Sequence, residues 1–170
     1  KYMQYSADFP FIQGRRITQE GNSFEWLHSI DYKTGKAKWI DEQDEFKNKS
    51  RININIACFE GAFMSRKVVE KVGLPDPRFF IAGDDTFYGF LVSRIFPMIY
   101  IKDITLQRLI DKPSRYVFGA DRIIISPFSL YYLVRNFFLL EKFIQKSIPN
   151  EIISHKVSIF KKLGKIFFKI

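Results

Sequence analysis

Two adjacent carboxylates, Asp84 and Asp85, stand where an apolar run ends and a helical pattern begins, in Phe79-Phe80-Ile81-Ala82-Gly83-Asp84-Asp85-Thr86-Phe87-Tyr88-Gly89. Side by side they repel each other, which raises the cost of ionising both. On a wet surface that cost is small, and Asp is a favoured helix N-cap, so a solvated cap is one reading. In a pocket the same pair needs a metal, a cation or a proton-transfer task. Other reactive side chains are sparse. Cys58 is the one cysteine and lies in an apolar run with no nearby base, the setting of a buried, inert thiol. His28 and His155 fit no metal-ligand spacing.

The elements that must position the pair follow from periodicity. Ile52, Ile54, Ile56 and Cys58 alternate with Asn53, Asn55 and Ala57, the period of two of a strand with one apolar face. Ser65 as N-cap, Val68, Val69 and Val72 at helical spacing, and Gly73 as stop predict a helix. Pro75 and Pro77 force an extended loop from Leu74 to Arg78. Phe87, Phe90, Leu91 and Arg94 predict a second helix, opening at the Asp pair where the helix dipole favours carboxylates. Pro97 closes it, and Met98 to Ile101 reads as a buried strand ending at Lys102-Asp103. Upstream, Tyr32 to Trp39 reads as a hairpin around Thr34-Gly35, and Asp41 to Ser50 as a charged loop or short exposed helix. Residues 113–122 read as a polar connection, with two helical stretches beyond.

The length of 170 residues suits one domain or a piece of a larger one. A single cysteine excludes an internal disulfide and fits a reducing compartment. The opening Lys-Tyr-Met shows no leader pattern and starts mid-pattern, so a fragment of a longer chain is expected. The most apolar stretch, Ile123 to Leu140, holds Pro127, Arg135 and Asn136, which a lipid-exposed span accepts poorly. The net charge of +9 is uneven, because seven lysines stand against Glu151 alone from Lys142 onward. Wound as a helix, the tail puts Lys161, Lys162, Lys165 and Lys169 on one side, with Phe160 and Phe167 among the apolar residues on the other. Such a segment can lie in an anionic membrane interface or pack on its own domain.

Three motifs in order carry a resemblance. They are Val72-Gly73-Leu74-Pro75-Asp76 running into Phe79-Phe80, then Gly83-Asp84-Asp85, then Tyr131-Tyr132-Leu133-Val134-Arg135-Asn136. Residues 52–140 resemble the C-terminal half of a family 2 glycosyltransferase, of the kind that includes bacterial rhamnosyl- and galactofuranosyltransferases. The resemblance implies an α/β chain: the C-terminal part of a GT-A fold with a helical, basic extension. Residues 1–112 would be the acceptor and catalytic half, the nucleotide-binding half being absent, and residues 113–170 a helical region with the amphipathic tail. It implies inverting transfer of a sugar from a nucleotide-diphosphate donor to a glycan or lipid-linked acceptor in cell-surface polysaccharide synthesis. Asp85 would be the catalytic base, because a sugar hydroxyl attacks well only when its proton is taken. Asp84 would orient that base or bind acceptor hydroxyls. Gly61, Phe63, Arg66, Gly83 and Arg108 would line the substrate: Gly61 by close backbone approach, Phe63 as an apolar wall, Arg66 and Arg108 by meeting phosphate. For Gly61 turn geometry is the alternative, for Phe63 core packing is the plainer reading, and a solvated Arg66 stands equally open. A divalent metal, Mg or Mn, is expected with its ligands mostly in the missing half. Arg135 and Asn136 read as braces of the fold.

The chain departs from the family pattern in three places. No Asp-x-Asp metal motif is found, since Asp41-Glu42-Gln43-Asp44 is a charged run in a loop. Gln107 stands where many members place a metal-binding His, and is a poor ligand. Phe87 and Leu91 replace a Glu and an Arg, which makes the acceptor side more apolar. The expected setting is the cytoplasmic face of the plasma membrane, held peripherally, with no nucleic-acid partner. Two other classes compete: a non-catalytic membrane-associated module, and a polymerase palm fragment marked by Gly-Asp-Asp. The palm needs strands on both sides of the motif, where residues 86–96 read as helical.

Overall fold

The structure, a computed structural model, describes residues 8–22, 27–31, 36–39, 46–110, 114–117, 120–123 and 125–147. In chain order the elements are β1 (Phe11–Ile17), β2 (Leu27–Asp31), β3 (Lys36–Trp39), β4 (Arg51–Ile54), β5 (Ala62–Met64), α1 (Arg66–Val72), α2 (Asp84–Ser93), β6 (Met98–Gln107), β7 (Ser114–Val117), β8 (Ala120–Ile123) and α3 (Pro127–Ser147). The protein is mixed α/β. Four strands pair in the order β4-β6-β1-β5. The central pair, β1 and β6, is parallel, and the edges β4 and β5 run antiparallel to it.

Central parallel strands are covered on both faces, and their composition shows it. Phe11, Ile12, Ile99 and Ile101 are completely buried. Phe11, Ile52, Ile54, Met98 and Tyr100 make one side of the sheet into a core with Val68 of α1 and Tyr88 and Val92 of α2. Ile12, Ile99 and Ile101 form a separate cluster with Phe9 and Ile104. A third cluster joins Phe79, Phe87 and Phe90 to Ile144 and Phe143 of α3, which packs the long helix against α2. Fully burying each such aliphatic or aromatic side chain contributes about 1.5–3 kcal/mol.

Several sequence expectations are met. Ile52 and Ile54 are buried while Arg51 and Asn53 are exposed, as the alternation requires. Gly73 stops α1 in a positive-φ conformation, and Ser65 sits at its N-cap, although its hydroxyl makes no capping bond. β2 and β3 pair antiparallel, with the connecting residues 32–35 outside the described residues. Others need correction. The strand expected through Cys58 ends at Ile54, and Ile56 and Ala57 are buried in the loop that follows. β6 does not stop at Ile101 but continues to Gln107, because pairing with β1 resumes past an irregularity opposite Gly14 and Arg15. In place of the polar connection at 113–122, β7 and β8 pair antiparallel between Ser114 and Ile123, and β1 had no counterpart among the elements the periodicity predicts. Of the expected loop at 41–50, residues 46–50 are described as turn and bend, with Phe46 buried against Tyr100. The tail lysines Lys161, Lys162, Lys165 and Lys169, with Phe160 and Phe167, lie outside the described residues.

Candidate functional site

The Asp pair opens α2. Gly83 is its N-cap, in a left-handed conformation at φ 83°, and its carbonyl accepts the first helical bond from Phe87 N. Gly-Asp-Asp therefore leads from a loop into a helix, with no hairpin around it. The approach is strained, since Ile81 has a φ of 60°, where a β-branched residue is disfavoured. A buried amide holds it there. Asn136 of α3 donates from Nδ2 to Phe80 O at 3.0 Å and to Ala82 O at 2.7 Å, the carbonyls on either side of Ile81. Arg135 Nη1 donates to Asn136 Oδ1 and to Arg78 O, each at 2.9 Å. Arg135 and Asn136 thus brace the loop that delivers the acids.

One turn into α2, Gly89 fixes how close the helix lies. A Cβ there would sit 2.2 Å from Ala57 N and 2.8 Å from Ala57 Cβ. Glycine lets the helix press directly onto the loop after β4. Asp85, four residues earlier on the same helix face, consequently meets the next residue of that loop. The Cys58 thiol and the Asp85 carboxyl are near enough to influence each other's protonation. Asp85 Oδ1 also accepts from Thr86 N at 2.7 Å and Thr86 Oγ1 at 3.3 Å.

Burial pushes the Asp85 carboxyl above the usual Asp range, and the neighbouring Asp84 pushes the same way. The Thr86 amide opposes this without cancelling it. The helix N-terminus was expected to help keep the acids ionised. At Asp85 loss of water outweighs the hydrogen bonds from Thr86 that favour the charged form. Cys58 responds to the same environment: burial first, and the adjacent Asp85 in addition, push its thiol up to about 11. It is neutral at physiological pH, in keeping with an inert thiol.

Behind Cys58 lies a charged assembly. Arg16 Nη1, from the end of β1, donates to Cys58 Sγ at 3.1 Å and to Glu60 Oε2 at 2.8 Å. Arg108, just past β6, forks onto the same carboxylate, with Nη2 at 3.0 Å and 2.8 Å from its two oxygens. These hydrogen bonds, those from Arg108 foremost, hold Glu60 below its ordinary pKa. Gln13, wholly buried on β1, ties the loop to the sheet. Its Oε1 accepts from Cys58 N at 3.0 Å and its Nε2 donates to Glu60 O at 2.9 Å. Hydrogen bonds therefore join Glu60, Arg16 and Cys58, and the Cys58 thiol in turn lies in the electrostatic field of Asp85.

The other sequence candidates fall as follows. Gly61 has a φ of 83°, and its carbonyl accepts from Gly14 N at 2.9 Å, so turn geometry accounts for the glycine. Phe63 is 41% exposed on the edge strand, paired with Ile12. Arg66 forms an exposed pair with Glu70 at 2.8 Å, one turn along α1. Gln107 Nε2 donates to Gln19 O at 2.9 Å. Among the described residues no three His, Cys, Asp or Glu side chains come together where they could hold a metal ion. Gln13, Arg16, Glu60 and Gly89 were not anticipated. Only Gln13 had a sequence signal, a lone amide directly after the apolar run Phe11-Ile12.

No protein-family model, no curated protein and no solved structure matches this chain.

Proposed function

We propose that the chain is the acceptor-side catalytic part of an inverting glycosyltransferase of GT-A type, acting on a nucleotide-sugar donor and a glycan or lipid-linked acceptor. One observation carries the reading. Asp85 is a half-buried carboxyl in the first turn of a helix, with a raised proton affinity, a neutral thiol for a neighbour and no cation paired with it among the interactions that tune it. A carboxylate of raised basicity is better matched to abstracting an alcohol proton near neutral pH. In the proposed step Asp85 takes the proton of an acceptor hydroxyl while that oxygen attacks the anomeric carbon. The bond from that carbon to the diphosphate breaks, its electron pair leaves with the nucleoside diphosphate, and the configuration inverts. Asp84, beside it in the same turn, would hold neighbouring acceptor hydroxyls. A divalent metal would neutralise charge on the departing diphosphate when bound. Arg108 is engaged by Glu60, so in this reading it supports the loop at Cys58 instead of meeting phosphate.

The test is transfer by the full-length protein from a panel of UDP-, dTDP- and GDP-sugars, followed by release of nucleoside diphosphate. Asp85→Asn should reduce turnover by about a hundred- to ten-thousandfold with the fold intact. Turnover retained by that variant would refute the assignment of the base. A folded full-length protein that turns over none of the donors would favour a non-catalytic module.

A further inference from the structure

We infer that the exposed face of α3, together with the loop before the Asp pair, is a docking surface for an anionic phospholipid bilayer. The surface is aromatic and outward-facing. Phe80, Phe128, Tyr131 and Phe138 are each at least half exposed, and Ile81 is 44% exposed. These rings are organised. Tyr132 lies edge-on to Phe80, Phe128 and Tyr131 with ring centroids 5.1, 5.0 and 5.2 Å away. Phe128, Tyr131 and Phe138 follow the three-and-four spacing of one helix face, and the stripe spans about 15 Å at 1.5 Å per residue. Exposed apolar patches of this kind mark partner or membrane surfaces.

Charge and position select the bilayer. The same helix carries exposed Lys142 and Lys146 toward its C-terminal end. From Lys142 onward the sequence holds seven lysines against one glutamate. Tyr and Phe beside Lys are the side chains that partition at a lipid headgroup boundary, with lysine meeting anionic lipid. The 21-residue helix does not cross the membrane, since no described helix is long and apolar enough to do so. It would lie along the surface. A second copy of the chain would bring two lysine-rich segments together, and a small glycan would not need a convex stripe several rings long. Phe80 and Ile81 stand four and three residues before Asp84, so docking would hold the acids at the height of lipid headgroups, within reach of a lipid-anchored hydroxyl. The inference goes beyond the transferase reading, and vesicle binding is scored without turnover, so either can fail alone.

The experiment is flotation of the full chain with phosphatidylcholine vesicles, with and without phosphatidylglycerol, alongside F128S/Y131S and a chain lacking residues 151–170. Wild type should float with the anionic vesicles. F128S/Y131S should partition about tenfold more weakly or worse, with an unchanged circular dichroism spectrum and melting temperature. Flotation by F128S/Y131S equal to wild type, with only the truncated chain failing, would overturn the proposal, because the tail would then suffice. Absence of wild-type flotation would overturn it too. So would a wild-type dimer in light scattering that F128S/Y131S dissolves, which would give the face to a second copy.

Discussion

The side-chain amide of Asn136 straddles Ile81, donating to the carbonyl before it at 3.0 Å and the one after it at 2.7 Å. Asn136 is 1% exposed, and it holds Ile81 at a φ of 60°. Left-handed backbone at a β-branched residue costs about 1–3 kcal/mol and persists only where its surroundings hold it. Here the holding group is on α3 and the strained segment leads into the Asp pair on α2. The geometry of the acids is therefore set from a helix more than forty residues later in the chain.

Asn136→Ala should destabilise the protein by about 1–3 kcal/mol, since two part-buried carbonyls lose their donor. Asn136→Asp preserves size but cannot donate from a carboxylate, and should cost at least as much. Thermal or urea unfolding checks both. An Asp variant as stable as wild type would show that filling the space, not donating, is what Asn136 does.

Gly89→Ala should force α2 away from the loop at Ala57, because its Cβ has backbone within 2.2 Å. Overpacking of this kind costs about 1–3 kcal/mol. It should also open Cys58, so alkylation by iodoacetamide should accelerate well before global unfolding. Unchanged stability and alkylation would mean that the helix and loop are not in the contact described.

Asp85→Asn should stabilise the fold by about 0.5–2 kcal/mol while removing the base, the usual trade at a functional carboxyl. The sign follows from its raised pKa. The proton on Asp85 is bound more tightly in the folded state than in the unfolded one. Its favourable contribution is full below the ordinary Asp value of about 4 and is lost as pH rises through the higher folded value. Denaturation curves from acid to neutral pH should show the advantage of the variant growing over that window. The same substitution removes a negative neighbour, so the Cys58 thiol should titrate below its present value of about 11. A thiol titration unmoved by Asp85→Asn would break the link between the two side chains.

Glu60→Gln should cost about 1–2 kcal/mol at neutral pH, a reduced figure for charged hydrogen bonds because the carboxylate is part exposed. Its pKa is lowered, so the contribution runs the other way. It is present above the ordinary Glu value of about 4.3 and lost as pH falls through the lower folded value. Wild type and variant should therefore converge in acid. A gap that stays constant down to acid pH would show that the carboxylate charge is not what Arg16 and Arg108 read.

Periodicity alone determined the local elements. Alternation at Ile52 and Ile54, the helix from Ser65 to Gly73 and the helix opening at Asp84 are legible because short-range spacing fixes which face is apolar. The Asp pair was equally legible, because adjacent carboxylates before a helical run are conspicuous. The parallel pairing of β1 with β6 was not, since its partners stand more than eighty residues apart and nothing local encodes the match. The second half of β6 was missed for the same reason, being polar strand held by pairing and not by an apolar face. The grouping of Glu60, Arg16, Cys58 and Asp85 draws on β1, the loop after β4 and α2. The sequence named an acid and a helix; the tertiary structure decided what that acid faces and how much water it loses. Proton affinity depends on those two quantities, and neither can be read from neighbours along the chain.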